Sequence, residues 1–171
     1  MLGAARLSAA TYEEVEADTT ATPQAMLVVV LAAVAGGVSA TRAMGAVGLA
    51  LAGLASLLGW YLWAFITLVV GTRLLPGNRT KADLGQLLRS IGFSAAPGVI
   101  RVLGIVPMLD RPVSLVASLW MLAAMVVAVR QALDYKGTGR ALAVCAVGFV
   151  LNFMLLVVLG RLAGIPVIVA P

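Results

Sequence analysis

The chain contains no histidine and a single cysteine, Cys145. Those absences exclude an intrachain disulfide, a zinc site built from cysteine and histidine, and a histidine-based triad within one chain. Charge is scarce too: 11% of the 171 residues are charged and 62% are hydrophobic, with a mean hydropathy of +1.07. A soluble domain of this length has too much surface for its volume to hide so much apolar area, so the bilayer has to be its solvent. Twelve Lys and Arg against seven Asp and Glu give a formal charge of +5. The basic residues stand singly between apolar runs, without interleaved aromatics, so nucleic acid is not an expected partner. No cofactor, no metal and no enzymatic activity are expected, because no nucleophile, base or metal cluster can be assembled from the spans.

What the chain has instead is apolar length. Candidate spans near the ~20 residues that cross ~30 Å of hydrocarbon lie at 23–40, 46–74, 84–106, 113–133 and 140–160. Thr22-Pro23 is a helix-start signal for the first, and the second is long enough to tilt or project. Arg42-Ala43-Met44 and Leu109-Asp110-Arg111 read as tight turns that make the helices they join antiparallel neighbours. The expected fold is an all-α membrane bundle of about five transmembrane helices, with the third kinked at Pro97. The expected organisation is a short amino-terminal segment at 1–22, a five-helix domain at 23–164 and a short carboxyl-terminal tail at 165–171. Thr11, with Glu14 three residues later, resembles a capping box and suggests a short helix lying at the membrane surface. Acidic residues ahead of the first apolar run argue against a secretory signal.

Orientation follows from the basic residues. Alternate loops put Arg6, Arg73, Arg79, Lys81, Arg89, Arg130, Lys136 and Arg140 on one side, and Arg42, Arg111 and Arg161 on the other. This excess predicts a multi-pass protein of the plasma (cell inner) membrane, with a cytoplasmic amino terminus and an outside carboxyl terminus.

The third span holds the sharpest candidates. Pro97 cannot donate a backbone hydrogen bond and its ring crowds the Phe93 carbonyl, so the helix should bend or break there. The freed carbonyl needs a partner, such as the Ser94 or Ser90 hydroxyl or a neighbouring helix. Small residues around it, Gly92, Ala95, Ala96, Gly98 and Gly104, allow such a neighbour to come close. Arg101 sits inside the span about five residues from its outer end, within reach of headgroups or of Asp110. Asn152, mid-span in the fifth helix, is expected to bond across to another helix. All acidic residues lie near span ends or in tails, which argues against proton- or sodium-coupled transport.

Gly48, Ala52 and Ser56 form a small-residue face suited to close packing, within the chain or between protomers. Trp60, Tyr61 and Trp63 lie too deep for an interfacial belt and read as packing residues. Arg130 and Asp134 have i,i+4 spacing and can pair. With Arg89 and residues 78–83 they make a polar inner surface where a partner or anionic headgroups could dock.

Three blocks carry a family resemblance. QLLRSIGFSAAPGVIRVLGIVP (86–107), LVASLWMLAAMVVAVRQALDYKGTGRAL (115–142) and TYEEVEADTTATPQA (11–25) are similar to the Yip family, the Ypt-interacting five-span membrane proteins, in its prokaryotic form. The resemblance implies a five-helix bundle with a cytoplasmic amino terminus. For eukaryotic members it implies binding of small GTPases of the Rab type. A tail of about 22 residues is too short for the long amino-terminal region those proteins use. No residue here matches their GTPase-contact motif, so a small GTPase is not an expected partner. The expectation is a non-catalytic integral membrane protein with a membrane-organising or adaptor role. Its partners would be membrane lipids, a second copy of the chain, or an unidentified membrane or cytoplasmic protein. The alternative is a small channel or transporter subunit whose pathway is lined by the Pro97 break and Arg101.

Overall fold

The computed structural model describes residues 1–77, 80–106 and 108–162. The expectations for Arg79, for the side chain of Arg42 and for the tail at 165–171 lie outside the described residues. Two short helices, α1 (Leu2–Ala5) and α2 (Ala9–Ala17), and a 3-10 turn (Thr19–Ala21) precede α3 (Thr22–Val69), which runs on as a π-helical turn (Val70–Leu74). Then come α4 (Leu84–Ser94), a 3-10 helix (Ala96–Ile105), α5 (Asp110–Ala132) and α6 (Thr138–Leu162). Among the described residues there is no strand. Among the described residues, five stretches are long and apolar enough to cross a membrane: Thr19–Gly37, Val47–Leu74, Leu84–Ile105, Asp110–Ala132 and Thr138–Leu155. The fold is an all-α membrane bundle.

The first two spans are the arms of α3. The helix runs through the expected turn at 42–44 and breaks at Gly45, whose φ of 61° and ψ of −161° lie where side chains with a Cβ are strained. The reversal shows in the packing. Ala25 and Trp60 would be ~50 Å apart on a straight helix, yet a Cβ placed on Gly92 would lie 2.7 Å from Ala25 Cβ and 3.2 Å from Trp60 Nε1. The two arms therefore fold back side by side against α4.

The third span is the centre of the bundle. More than half of it is buried, against a third or less of each other span. It starts with a capping box: Asp83 Oδ1 accepts from Gln86 N at 2.9 Å, and Gln86 Oε1 accepts from Asp83 N at 2.8 Å. The α-helix stops at Ser94, and Pro97 sits fully buried in the first turn of the 3-10 helix that replaces it. The Ser94 hydroxyl donates to the carbonyl of Ile91 at 2.7 Å, and the buried Ser90 hydroxyl has no partner among the described residues. Neither serves Phe93. At the helix cap the Ala95 N–H is directed to the Gly92 and Phe93 carbonyls, and beyond it the chain packs closely: a Cβ on Gly98 would lie 2.8 Å from Met121 Sδ and 3.1 Å from Ala32 Cβ.

Two apolar clusters hold the arrangement. One gathers Val70, Leu87, Val129, Leu133, Tyr135 and Val144, and the other Tyr12, Ala25, Val28, Phe93 and Ala128. Trp60 packs against both and donates from Nε1 to the Leu88 carbonyl at 3.0 Å, and Trp63 meets Phe149 edge to face at 5.9 Å. Tyr61 departs from the packing role expected of it, being half exposed. Outward surfaces remain apolar, as at Leu58, Leu119, Phe149 and Phe153; lipid satisfies such faces where water would not. Ala52 also points outward, so the small-residue face is not sealed within the chain.

Candidate functional site

Polar groups gather at one end of the bundle, where α3 leaves, α4 begins and α5 turns into α6. The amino-terminal segment reaches this end first. Ser8, and not Thr11, caps α2: its hydroxyl accepts from Thr11 N at 3.4 Å. The segment does not lie across the end of the bundle. Gln131, at the end of α5, donates to Glu13 Oε1 at 2.7 Å, while Trp120 donates to the Ala5 carbonyl at 2.7 Å. Those two α5 residues are ~16 Å apart along the helix, so the segment runs down the side of α5. Tyr12, fully buried, pins the fold-back by donating to the Ala4 carbonyl at 3.2 Å.

Arg89 fixes the other end of α2. It is 6% exposed. Its Nε donates to the carbonyls of Val15 and Glu16 at 3.1 and 3.0 Å, and its Nη2 donates to Glu16 as well. These are the carbonyls that a helix leaves without partners at its carboxyl end, where the macrodipole favours a cation. Arg89 is thus a buried clasp, not the exposed contact residue that its position in the sequence predicts.

The link after α3 and the turn after α5 are tied together by Tyr135. Its hydroxyl lies 3.0 Å from the Gly71 carbonyl and 2.6 Å from that of Leu75. The π-helical turn at 70–74 opens those carbonyls to a side chain from outside the helix. Thr80 adds a second tie, donating to the Leu133 carbonyl at 2.9 Å and accepting from Gly77 N at 2.9 Å. Arg140 donates to the Pro76 carbonyl at 3.3 Å.

Arg130 and Asp134 do not pair. The helix ends at Ala132, Leu133 caps it and Asp134 takes φ +50°, so the i,i+4 register is lost across the cap. Arg130 donates instead to Gln131 Oε1 at 3.1 Å and to Thr138 Oγ1 at 3.5 Å. Two clefts open here and share Asp134, Tyr135 and Lys136. One, of about 440 Å³, lies under α2 and includes Glu13, Glu16 and Arg130. Partial burial, and then the charge of Asp134, push the Glu16 carboxyl up to about 7; Arg89 opposes this, and Glu13 and Asp83 add to it. The other cleft, of about 370 Å³, lies between Gly77 and the 134–140 turn.

Elsewhere the candidates stand apart from this end. Arg101 donates from Nη2 to Ser118 Oγ at 2.9 Å, and its guanidinium lies beside Gly36 of the first arm. Asn152 is half-buried on α6 and has no hydrogen-bond partner among the described residues, so the cross-helix bond expected of it is not made there. Among those residues no group of His, Cys, Asp and Glu could hold a metal ion. Sequence reasoning missed Tyr135 as the tie between the two links; its signal was an aromatic hydroxyl placed just after a helix end.

A bundle of apolar spans with one polar end, built around a central broken helix, defines a multi-pass membrane protein class with no active-site constellation among the described residues. Residues 9–159 match the Yip1 domain, and the chain belongs to the Yip1 family. Neither a curated protein nor a solved structure matches the chain at a significant level.

Proposed function

We propose that this Yip1-family protein is a non-catalytic membrane-organising or adaptor protein of the plasma membrane that works through its polar end, with that end facing the cytoplasm. The observation that supports the reading is the joining of three separate segments into one surface. The amino-terminal helix, the link after α3 and the α5–α6 turn are bound to one another by Gln131, Tyr135, Thr80 and Arg140, and Arg89 binds the amino-terminal helix to α4. A surface assembled from distant segments can present a fixed set of charges to a partner. The excess of Lys and Arg at this end supports the cytoplasmic orientation.

The test is in-membrane crosslinking of the tagged full-length chain in its host, with mass spectrometry of what it captures. A stoichiometric second protein, lost when exposed Arg73 and Lys81 are neutralised, supports the adaptor role. Capture of the chain by itself turns the reading to self-assembly, and flux in proteoliposomes abolished by Arg101→Ala would overturn it in favour of a channel.

A further inference from the structure

The cleft of about 370 Å³ between Gly77 and the α5–α6 turn is lined by Gly77, Tyr135, Gly137 and Gly139 and by the charged residues Asp134, Lys136 and Arg140. It lies where the apolar spans Val47–Leu74, Asp110–Ala132 and Thr138–Leu155 begin or end, the level at which hydrocarbon gives way to headgroups. Its walls carry two exposed cations. Lys136 has no partner among the described residues, and Arg140 has one hydrogen bond, through Nη1 to Pro76, which leaves most of its five N–H donors free. Asp134, also exposed on the wall, is the one carboxylate of the cleft.

The glycines of the turn add a second observation. A Cβ on Gly137 or Gly139 would meet nothing within 4 Å, and neither residue has a positive φ. Packing and backbone conformation within the chain therefore give no reason for glycine at either place. Bare backbone on a cleft wall is what close approach by a ligand requires. The Tyr135 ring packs on Gly77 and its hydroxyl is held by two carbonyls, which ties the opposite wall to the link after α3. Walls tied in this way lower the cost of ordering a cleft around a ligand.

We infer that this cleft binds the headgroup of an anionic glycerophospholipid, with Lys136 and Arg140 on the phosphate and Asp134 accepting from a headgroup hydroxyl, as in phosphatidylglycerol. A phosphate matches the two cations. The carboxylate disfavours a bare phosphate and favours a headgroup that also carries a donor. The inference rests on the reading of this end as a membrane-level polar surface, and needs no protein partner.

The experiment titrates short-chain phosphatidylglycerol and phosphatidylcholine into the purified full-length chain in zwitterionic detergent, with bound lipid counted by native mass spectrometry. The expected result is one phosphatidylglycerol per chain, at least tenfold weaker in the Lys136→Gln/Arg140→Gln variant and unchanged in Arg73→Gln/Lys81→Gln. Gly139→Val tests the bare backbone and should weaken binding in the same way. Retention of the α-helical circular dichroism spectrum separates loss of binding from loss of fold. Equal binding of phosphatidylcholine, an equal loss in the Arg73/Lys81 variant, or displacement by millimolar inorganic phosphate would each overturn the inference. The assay uses detergent-solubilised protein and no partner, so failure here leaves the adaptor reading standing, and failure of the crosslinking leaves this site standing.

Discussion

Arg89 on α4 holds Glu16 of α2 by its main chain and not by its carboxylate: the guanidinium donates to the Glu16 carbonyl, with Nε at 3.0 Å. A residue of the central span thereby anchors a segment 73 positions earlier in the chain. The carboxylate stays free to titrate, and the two parts of one residue do different work.

Replacing Arg89 by Ala removes every donor that the last turn of α2 has from α4. The expected cost is on the order of 2 kcal/mol to docking of the amino-terminal segment. Limited proteolysis should cut within residues 1–18 faster in the variant while the spans stay protected. Unchanged cutting would show that Tyr12 and Trp120 hold the segment without the clasp.

Docking should also depend on pH. Glu16, raised from 4.5 to about 7, keeps its proton in the docked state and releases it at lower pH when undocked. Docking is then firmest below about 4.5 and weakens as the pH rises through about 7. Hydrogen exchange of the α2 amides between pH 5 and pH 8, corrected for intrinsic rates, reads this directly. Glu16→Gln should flatten the profile.

Gly92 and Gly59 make a matched pair. A Cβ at Gly92 falls 2.7 Å from Ala25 Cβ, while one at Gly59 meets nothing within 4 Å. Gly92→Ala should destabilise the bundle by ~1–3 kcal/mol through overpacking. Gly59→Ala should be neutral or stabilising by up to ~1 kcal/mol through helix propensity. Thermal melts in detergent decide both.

The aromatic tie is tested by Tyr135→Phe, which keeps the ring and deletes the hydroxyl shared by Gly71 and Leu75. Leaving those carbonyls without a donor should cost ~1–3 kcal/mol, read as a lower melting temperature and faster amide exchange at residues 70–77.

Pro97→Ala asks whether the proline holds the third span in its 3-10 winding. Restoring an N–H at position 97 should raise α-helical content, and removing two methylenes from a fully buried site should cost ~1.6 kcal/mol. An unchanged melting temperature and assembly state would show that the break does not organise the bundle.

The spans were legible because a bilayer demands apolar runs of a fixed length, and composition reports that demand directly. The break near Pro97 was legible from covalent geometry. Its continuation as ten residues of 3-10 helix was not, since it accompanies contacts of Gly98 with Ala32 and Met121 that no local pattern encodes. The reversal at Gly45 had a signal, a glycine just beyond the expected turn, but its place depends on where the two arms pack. Arg89, residues 78–83 and the end of α5 were read from their charges as one polar surface. Arg89 was misjudged within it, because its burial arises only when the amino-terminal segment folds back across 73 residues. The pairing of Arg130 with Asp134 failed because helical spacing ends where the helix does.

The 3-10 stretch at Ala96–Ile105 also sets a length. At ~2.0 Å per residue it covers ~20 Å, where α-helix would cover ~15 Å. Rewinding those ten residues would shorten the central span by ~5 Å, comparable to the difference in hydrocarbon thickness between cellular membranes. The reach of the most enclosed helix of the bundle is therefore set by its winding as well as by its residue count, and the 3-10 stretch gives that central span about one helical turn of extra length.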